Sequence, residues 1–458
     1  VKREIRELTL QDRKRFLDAA VVMWKTDTTT GRKQYGSRYT SIQTFVEEHA
    51  LASNDIRCDA YHEGTGFLTH HLALQNSFDA SLRSIDPQVA MPYWDFSVEG
   101  EKIRQAGQSP SYLNKISPIF TDEWFGSSDE NDRIVDSNWA HVSMPKVMKE
   151  SVVNPNSYGY VRSYWNNNPD SEVTRHSFDV CGVEPTFKMV PSCVEHYLVV
   201  NSPDLGFFQM TSPGKGHGPL HVLTGGIGGQ CVQGYRDFVK KHHAILYANI
   251  TDEEILAKGF EVKKVRRFGD PPRKRMLDRI LLRCPEKCNQ DMPMEKCACS
   301  VPGLKEGTVD WRDSYHCVIN DDKRPYFDAF FPEEILRELV VYVGTTPLVE
   351  GDMLEAASPA DIMFWMIHPA IERMLAAKRL PTAAGENPTY PQAYTCKGHE
   401  ASDPVLPDKL PFHKNFQALA DTDKDGVVTN WEFYQAIDPT NANGVDYVFS
   451  NFVWDHCK

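Results

Sequence analysis

The chain has 458 residues, 41% of them hydrophobic and 25% charged. That balance suits a soluble globular protein with one large domain and a smaller one, or two to three ordinary domains. A formal net charge of −13 argues against nucleic acid or an anionic membrane as the main partner, because both select basic surfaces. The longest apolar run, near Ile335–Val343, is interrupted by charge and too short to span a bilayer.

The chain shows no signal peptide, but it starts at Val1 rather than Met, which leaves room for a removed leader. Its eleven cysteines, five of them between Cys284 and Cys317, favour a secreted, extracellular or lumenal setting. A glycosylation sequon at Asn249-Ile250-Thr251 points the same way.

In chain order, a helix is predicted from Leu10 to Trp24, with Thr9 and Asp12 forming its cap. The polar, glycine-bearing stretch Asp27–Ser37 reads as a loop. A second helix over Ser41–Ala52 puts Ile42, Phe45 and His49 on one face. After Cys58 and His62, a third helix over Gly66–Leu82 carries the stripe Phe67, His71, Leu74, Phe78 and Leu82. His70 falls about 100° round that helix and is the weaker candidate of the pair. Pro92–Asp95 closes this region as an aromatic turn or short strand, and Glu99–Gly214 is irregular, with loops and short helices expected.

His217 and His221 are four apart, on one face of a short helix that the following glycines end. Residues Thr251–Gly351 read as an insertion with the cysteine cluster, a basic run at Lys263–Arg267 and an apolar helix near Glu333–Val343. Ser358-Pro359-Ala360-Asp361 reads as the start of a helix that runs to Arg379 and carries Phe364, His368, Ile371 and Leu375 on one face. Pro381–Pro411 reads as a proline-rich linker before a compact tail, Phe412–Lys458.

Histidines thus recur on core-facing stripes, and side chains from facing helices are a common way to build a buried metal site. Sets of three imidazoles without carboxylate or thiolate suit copper or zinc and leave a position open for a further ligand. The HGPLH stretch lacks the glutamate that a HExxH metalloprotease needs, since Gly218 stands in its place.

These segments resemble the type 3 copper proteins: tyrosinases, catechol oxidases and molluscan-type haemocyanins. The likeness is carried by FVEEH with His49, AYHEGTGFLTHH with His62 and His71, MPYWDF, HGPLH with His217 and His221, and SPADIMFWMIHPAIER with His368. It covers roughly residues 1 to 400, and the nine-residue step from His62 to His71 is part of the pattern. The resemblance implies one copper on His49, His62 and His71 and a second on His217, His221 and His368. It also implies dioxygen binding and, in the enzymes, oxidation of phenols or catechols to o-quinones. The chain departs from the family pattern at Leu72, Gly218, Ile367 and Glu372, and Cys58 lies four residues before His62 instead of two.

A second motif runs from Asp421 to Glu432. Asp421, Asp423 and Asp425 stand at positions 1, 3 and 5 of a twelve-residue EF-hand loop, with Gly426 at 6, Val427 at 7 and Glu432 at 12. It predicts one calcium ion, with helical flanks at His413–Ala420 and Trp431–Ile437. Cys284, Cys288, Cys297 and Cys299 admit a zinc knuckle, but a disulfide cluster fits the other cysteines better.

The expected architecture is mainly α. A central antiparallel four-helix bundle holds a dicopper site within residues 1–400, with long loops and a disulfide-rich insertion at about 251–351. An EF-hand module follows over 401–458. The expected activity is copper-dependent oxidation of o-diphenols, with monophenols as a further class, by dioxygen. The substrate is a phenolic small molecule or an exposed tyrosine, and no protein nucleophile is required. A second reading is a structural or interaction protein that keeps copper or oxygen binding without turnover, meeting a protein partner through the insertion or the EF-hand module. A calcium sensor is the third.

Overall fold

A computed structural model describes residues 1–62, 64–148, 151–175, 181, 190–231, 233–234, 237–238, 240–242, 270–319, 324–382, 390, 396–405, 420–441 and 444–458. The sequon at Asn249, the basic run at Lys263–Arg267 and the flank His413–Ala420, but for Ala420 itself, lie outside these residues.

The described chain is mostly helical. Its one two-stranded ladder pairs β1 (Ile227–Gly228) with β2 (Val349–Glu350) antiparallel, Ile227 opposite Glu350. Helix α1 spans Leu10–Lys25, and Thr9 caps it by accepting from the Asp12 amide. The stretch read as a loop after it holds a second helix, α2 (Thr28–Tyr35). Asp27 caps its start through the Thr30 amide, and Gly36, at φ 95°, ends it. Gly31 lets this helix lie against Tyr39, since a Cβ there would fall 1.9 Å from the Tyr39 ring.

Helix α3 spans Ile42–Ser53 and α4 spans Gly66–Ile85. The sequence suggested a striped helix for α4, but every residue from Gly66 to Leu82 is buried. A helix enclosed on all sides is a central one. The region after Pro92 is irregular as expected, with short helices α5 (Ser97–Ala106), α6 (Cys193–Val200) and α7 (Leu205–Thr211).

His217 and His221 do not share one helix. His217 ends a π-helical turn, Ser212–His217, and His221 lies in α8 (Gly218–Gly225). Nor does Ser358 start the helix that carries His368. Ser358–Ala360 is a 3-10 turn, Asp361 is extended, and α9 runs from Phe364 to Thr382. Asp361 is held ahead of the helix: it accepts two hydrogen bonds from the buried Arg175 guanidinium, at 2.6 and 2.7 Å, and one from the Met363 amide at 2.9 Å.

The main core gathers α1, α3, α4 and α9, with Trp365 stacked on Phe78 at 3.9 Å between ring centres. A second core belongs largely to the insertion and includes Leu304, Trp311, Leu339 and Val343. Five disulfides join Cys58–Cys396, Cys181–Cys231, Cys193–Cys457, Cys284–Cys299 and Cys288–Cys297, leaving Cys317 as a buried thiol. Cys284, Cys288, Cys297 and Cys299 are therefore paired as disulfides, not a zinc knuckle. No helix among the described residues is long and apolar enough to cross a membrane.

Part of the stretch read as a linker is folded against the body. Residues 396–405 are tied to Cys58 by the disulfide, and His70 Nε2 donates to the Gly398 carbonyl at 2.7 Å. The C-terminal tail packs on the N-terminus. The Lys2 amide donates to the Val448 carbonyl, and Glu372 accepts from both Lys2 Nζ and the Tyr447 hydroxyl. Glu372, a departure noted in the sequence, thus anchors both chain ends.

Candidate metal centre

Helix α3 supplies His49, α4 supplies His71, and the connection between them supplies His62. Ring nitrogens of these three lie within 4.8 Å of one another. The same holds for His217, His221 and His368, from the π turn, α8 and α9. The two triads are adjacent: His217 lies against Phe67, and Phe67 against His71.

All six rings are held by Nδ1. His49 donates to the Ala356 carbonyl at 2.7 Å, His71 to Phe67 at 2.7 Å, and His217 to Ser212 at 3.1 Å. His221 donates to Met353 at 2.7 Å and His368 to Phe364 at 2.8 Å. A carbonyl only accepts, so each Nδ1 carries the proton and each Nε2 keeps its lone pair. His62 Nδ1 donates instead to a side chain, the Asp59 carboxylate, at 3.0 Å. Beside the Met353 and Ala356 carbonyls the buried Arg162 grips Asp352, next to Met353, at 2.6 and 2.9 Å, and the Ala356 amide donates to Ser163 Oγ at 3.4 Å.

The Nε2 atoms of His49, His71 and His368 are buried with no hydrogen-bond partner. Three orphaned buried acceptors in one place are costly unless a cation fills the space. Burial, reinforced by neighbouring imidazoles, pushes His71, His217 and His368 well below the usual histidine range. It takes His49 down to about 3 and His221 to about 4. These are neutral imidazoles at neutral pH, the form that ligates a metal. Phe364 packs on four of the rings, His368 at 4.0 Å, His49 at 5.4 Å, His71 at 5.9 Å and His221 at 6.1 Å. The centre is therefore dry on that side. Only His62, with 41% of its side chain exposed, opens freely to solvent. The donor set, six imidazoles without carboxylate or thiolate, fits a pair of copper ions.

His70 is not part of either triad, because its Nε2 is spent on Gly398. Sequence reasoning missed Asp59, whose spacing three residues before His62 was the available signal. Gly218 has a steric reason: a Cβ there would lie 2.4 Å from the Pro213 carbonyl oxygen of the π turn. Two further sulfur–imidazole groups, Cys58/Cys396/His399 and Cys193/His456/Cys457, have their sulfurs in disulfides.

In the C-terminal loop, carboxylates of Asp421, Asp423 and Glu432 lie within 4.8 Å of one another. Asp421 Oδ1 is buried and unpartnered, while its Oδ2 accepts from the Gly426 amide at 3.0 Å. Asp425 is not one of these three; its Oδ1 accepts from the Val427 amide at 2.8 Å. Glu432 forms a capping box with Thr429 at the start of α10 (Asn430–Ala436).

Residues 36–242 match the family described as the common central domain of tyrosinase. That span holds His49, His62, His71, His217 and His221, while His368 lies beyond it. The chain is similar to the tyrosinases of Streptomyces lincolnensis and Streptomyces antibioticus, 26% identical to each over 113 residues. The matched part is 25% of this chain and 37% of theirs, so the chain spans little more than a third of these relatives. A polyphenol oxidase structure from Thermothelomyces thermophila overlaps 49% of this chain and 61% of its own at 16% identity, with a TM-score of 0.34. The family match and the tyrosinase relatives support the type 3 copper family for residues 36–242, which carry five of the six histidines.

Proposed function

We propose that the two triads hold one copper each and that the protein oxidises o-diphenols to o-quinones with dioxygen. The observation that carries this reading is the shared orientation of six imidazoles: every Nδ1 is bound and every Nε2 is left for a metal. When bound, the copper pair supplies the two-electron chemistry with dioxygen. The chain's own residues orient the six imidazoles, and burial keeps His49, His71, His217, His221 and His368 neutral. Phe364 excludes water from one side, and a phenolic substrate reaches the centre on the side where His62 is exposed. Helices α3, α4, α8 and α9 are read as the four-helix bundle of the site within a domain of residues 1–400, and the disulfides fit a secreted or lumenal protein.

The test is copper per chain together with quinone formation from catechol. Two coppers and an activity abolished by His217→Ala are expected. A chain that takes up no copper overturns the reading. Copper uptake without quinone formation supports the second reading, oxygen binding without turnover, which the burial of four of the six imidazoles favours.

We further propose that Asp421, Asp423, Asp425, Val427 and Glu432 hold one calcium ion, supported by the unpartnered Asp421 Oδ1 and the sequence pattern of the loop. The loop's strand-like segment is paired within the chain, the Val405 amide donating to the Val428 carbonyl at 2.9 Å, which favours a structural role over a sensor. Calcium should raise the thermal midpoint. Unchanged calcium content and midpoint in an Asp421→Ala, Glu432→Ala double variant would sink this reading.

A further inference from the structure

His62 differs from the other five histidines of the centre in two ways. Its ring is the most exposed, and its Nδ1 partner is a side chain, not a backbone carbonyl. A carbonyl in a folded segment cannot rotate, but a carboxylate can. The aim of His62 therefore depends on what holds Asp59.

Asp59 is 6% exposed and sits at a crossing of contacts. Its carboxylate accepts from His62 Nδ1 at 3.1 and 3.0 Å and from the amides of Tyr61 and His62 at 3.0 Å each. On its other side stands the Lys274 ammonium, 3.3 Å from Asp59 Oδ2. Lys274 is also 6% exposed, and its Nζ donates as well to the Ser53 carbonyl at 3.3 Å. Ser53 ends α3, the helix that carries His49. Lys274 comes from the helix Asp270–Asp278, within the stretch that reads as an insertion. One buried cation thus ties the end of the His49 helix to the carboxylate that grips His62.

We infer that Lys274 is a positioning residue for the first triad, holding Asp59 against His62 Nδ1 so that Nε2 is left free and aimed. What His62 then ligates rests on the copper reading above; the contact itself does not. Outer groups that orient ligating histidines change metal affinity about 10- to 100-fold when they are removed. A buried charge that loses its partner is also poorly tolerated, so the uncharged variants need a folding control.

The test uses the full chain with ¹⁵N-labelled histidine, first without metal. In the wild type, His62 shows a single tautomer with Nδ1 protonated. Lys274→Gln and Lys274→Met are expected to lose that single tautomer while the near-ultraviolet circular dichroism stays native. Lys274→Arg, which keeps the charge, is expected to retain it. After copper loading, competition with a chelator should show one of two coppers weakened about 10- to 100-fold in the uncharged variants and neither in Lys274→Arg. The tautomer decides: if either uncharged variant folds and keeps the single Nδ1–H form of His62, Lys274 does not position this ligand. If the wild type takes up no copper, the copper reading fails, and the metal-free tautomer still decides the role of Lys274.

Discussion

The His71 and His368 rings stack in parallel, 4.6 Å between centres and 6° between planes, although one belongs to each triad. Each is fixed by its own helix, through the carbonyl four residues back. The packing of α4 on α9 therefore sets how far apart the two halves of the centre lie.

Separate ligand sets predict separable metals. His368→Ala removes one ring from the second triad and leaves the first intact. Elemental analysis should fall from two coppers per chain to one. The thermal stabilisation by copper should shrink in step, since a ligand stabilises only in proportion to its occupancy of the native state.

Gly218→Asn should destabilise the second triad. A Cβ at Gly218 meets the Pro213 carbonyl oxygen at 2.4 Å, so the π turn carrying His217 must shift. A loss of about 1–3 kcal/mol in denaturant unfolding is expected, with weaker copper uptake by the second triad.

The metal-free chain should be acid-sensitive above the usual range for carboxylates. Burial holds His49 at about 3 and His196 and His221 at about 4, whereas unfolded histidine titrates near about 6.5. Above that pH both states are neutral and the contribution is whole. As pH falls below it, the unfolded chain takes up protons that the folded chain refuses, and stability declines down to about pH 3–4. Unfolding midpoints between pH 7 and 4 check this. A midpoint that rises on acidification would contradict it.

Asn430→Ala should loosen the tail from the body. This buried side chain accepts from the Thr69 hydroxyl at 2.6 Å and donates to the Gly398 and Glu400 carbonyls at 3.0 and 2.9 Å. Removing it strands those groups, at a cost of about 1–3 kcal/mol. Faster amide exchange over residues 396–403 and 428–431 is the expected readout.

What could be read from the linear chain was what repeats within one helix. The choice of His71 over His70 follows from a stripe at helical spacing, and the structure spends His70 on Gly398. Leu10–Lys25, Ile42–Ser53 and Gly66–Ile85 were likewise legible, because caps and apolar periodicity act over a few residues. The helix Thr28–Tyr35 was not: its polar surface carries no stripe, and it is held by its Asp27 cap and by Tyr39 against Gly31. Tertiary structure alone decided the surroundings of the imidazoles. The Ala356 carbonyl reaches His49 across 307 positions, Lys274 reaches Asp59 across 215, and Cys396 meets Cys58 across 338. No local pattern encodes such pairs. They exist because several helices share one core, and the packing of that core brings together groups whose positions in the sequence are unrelated.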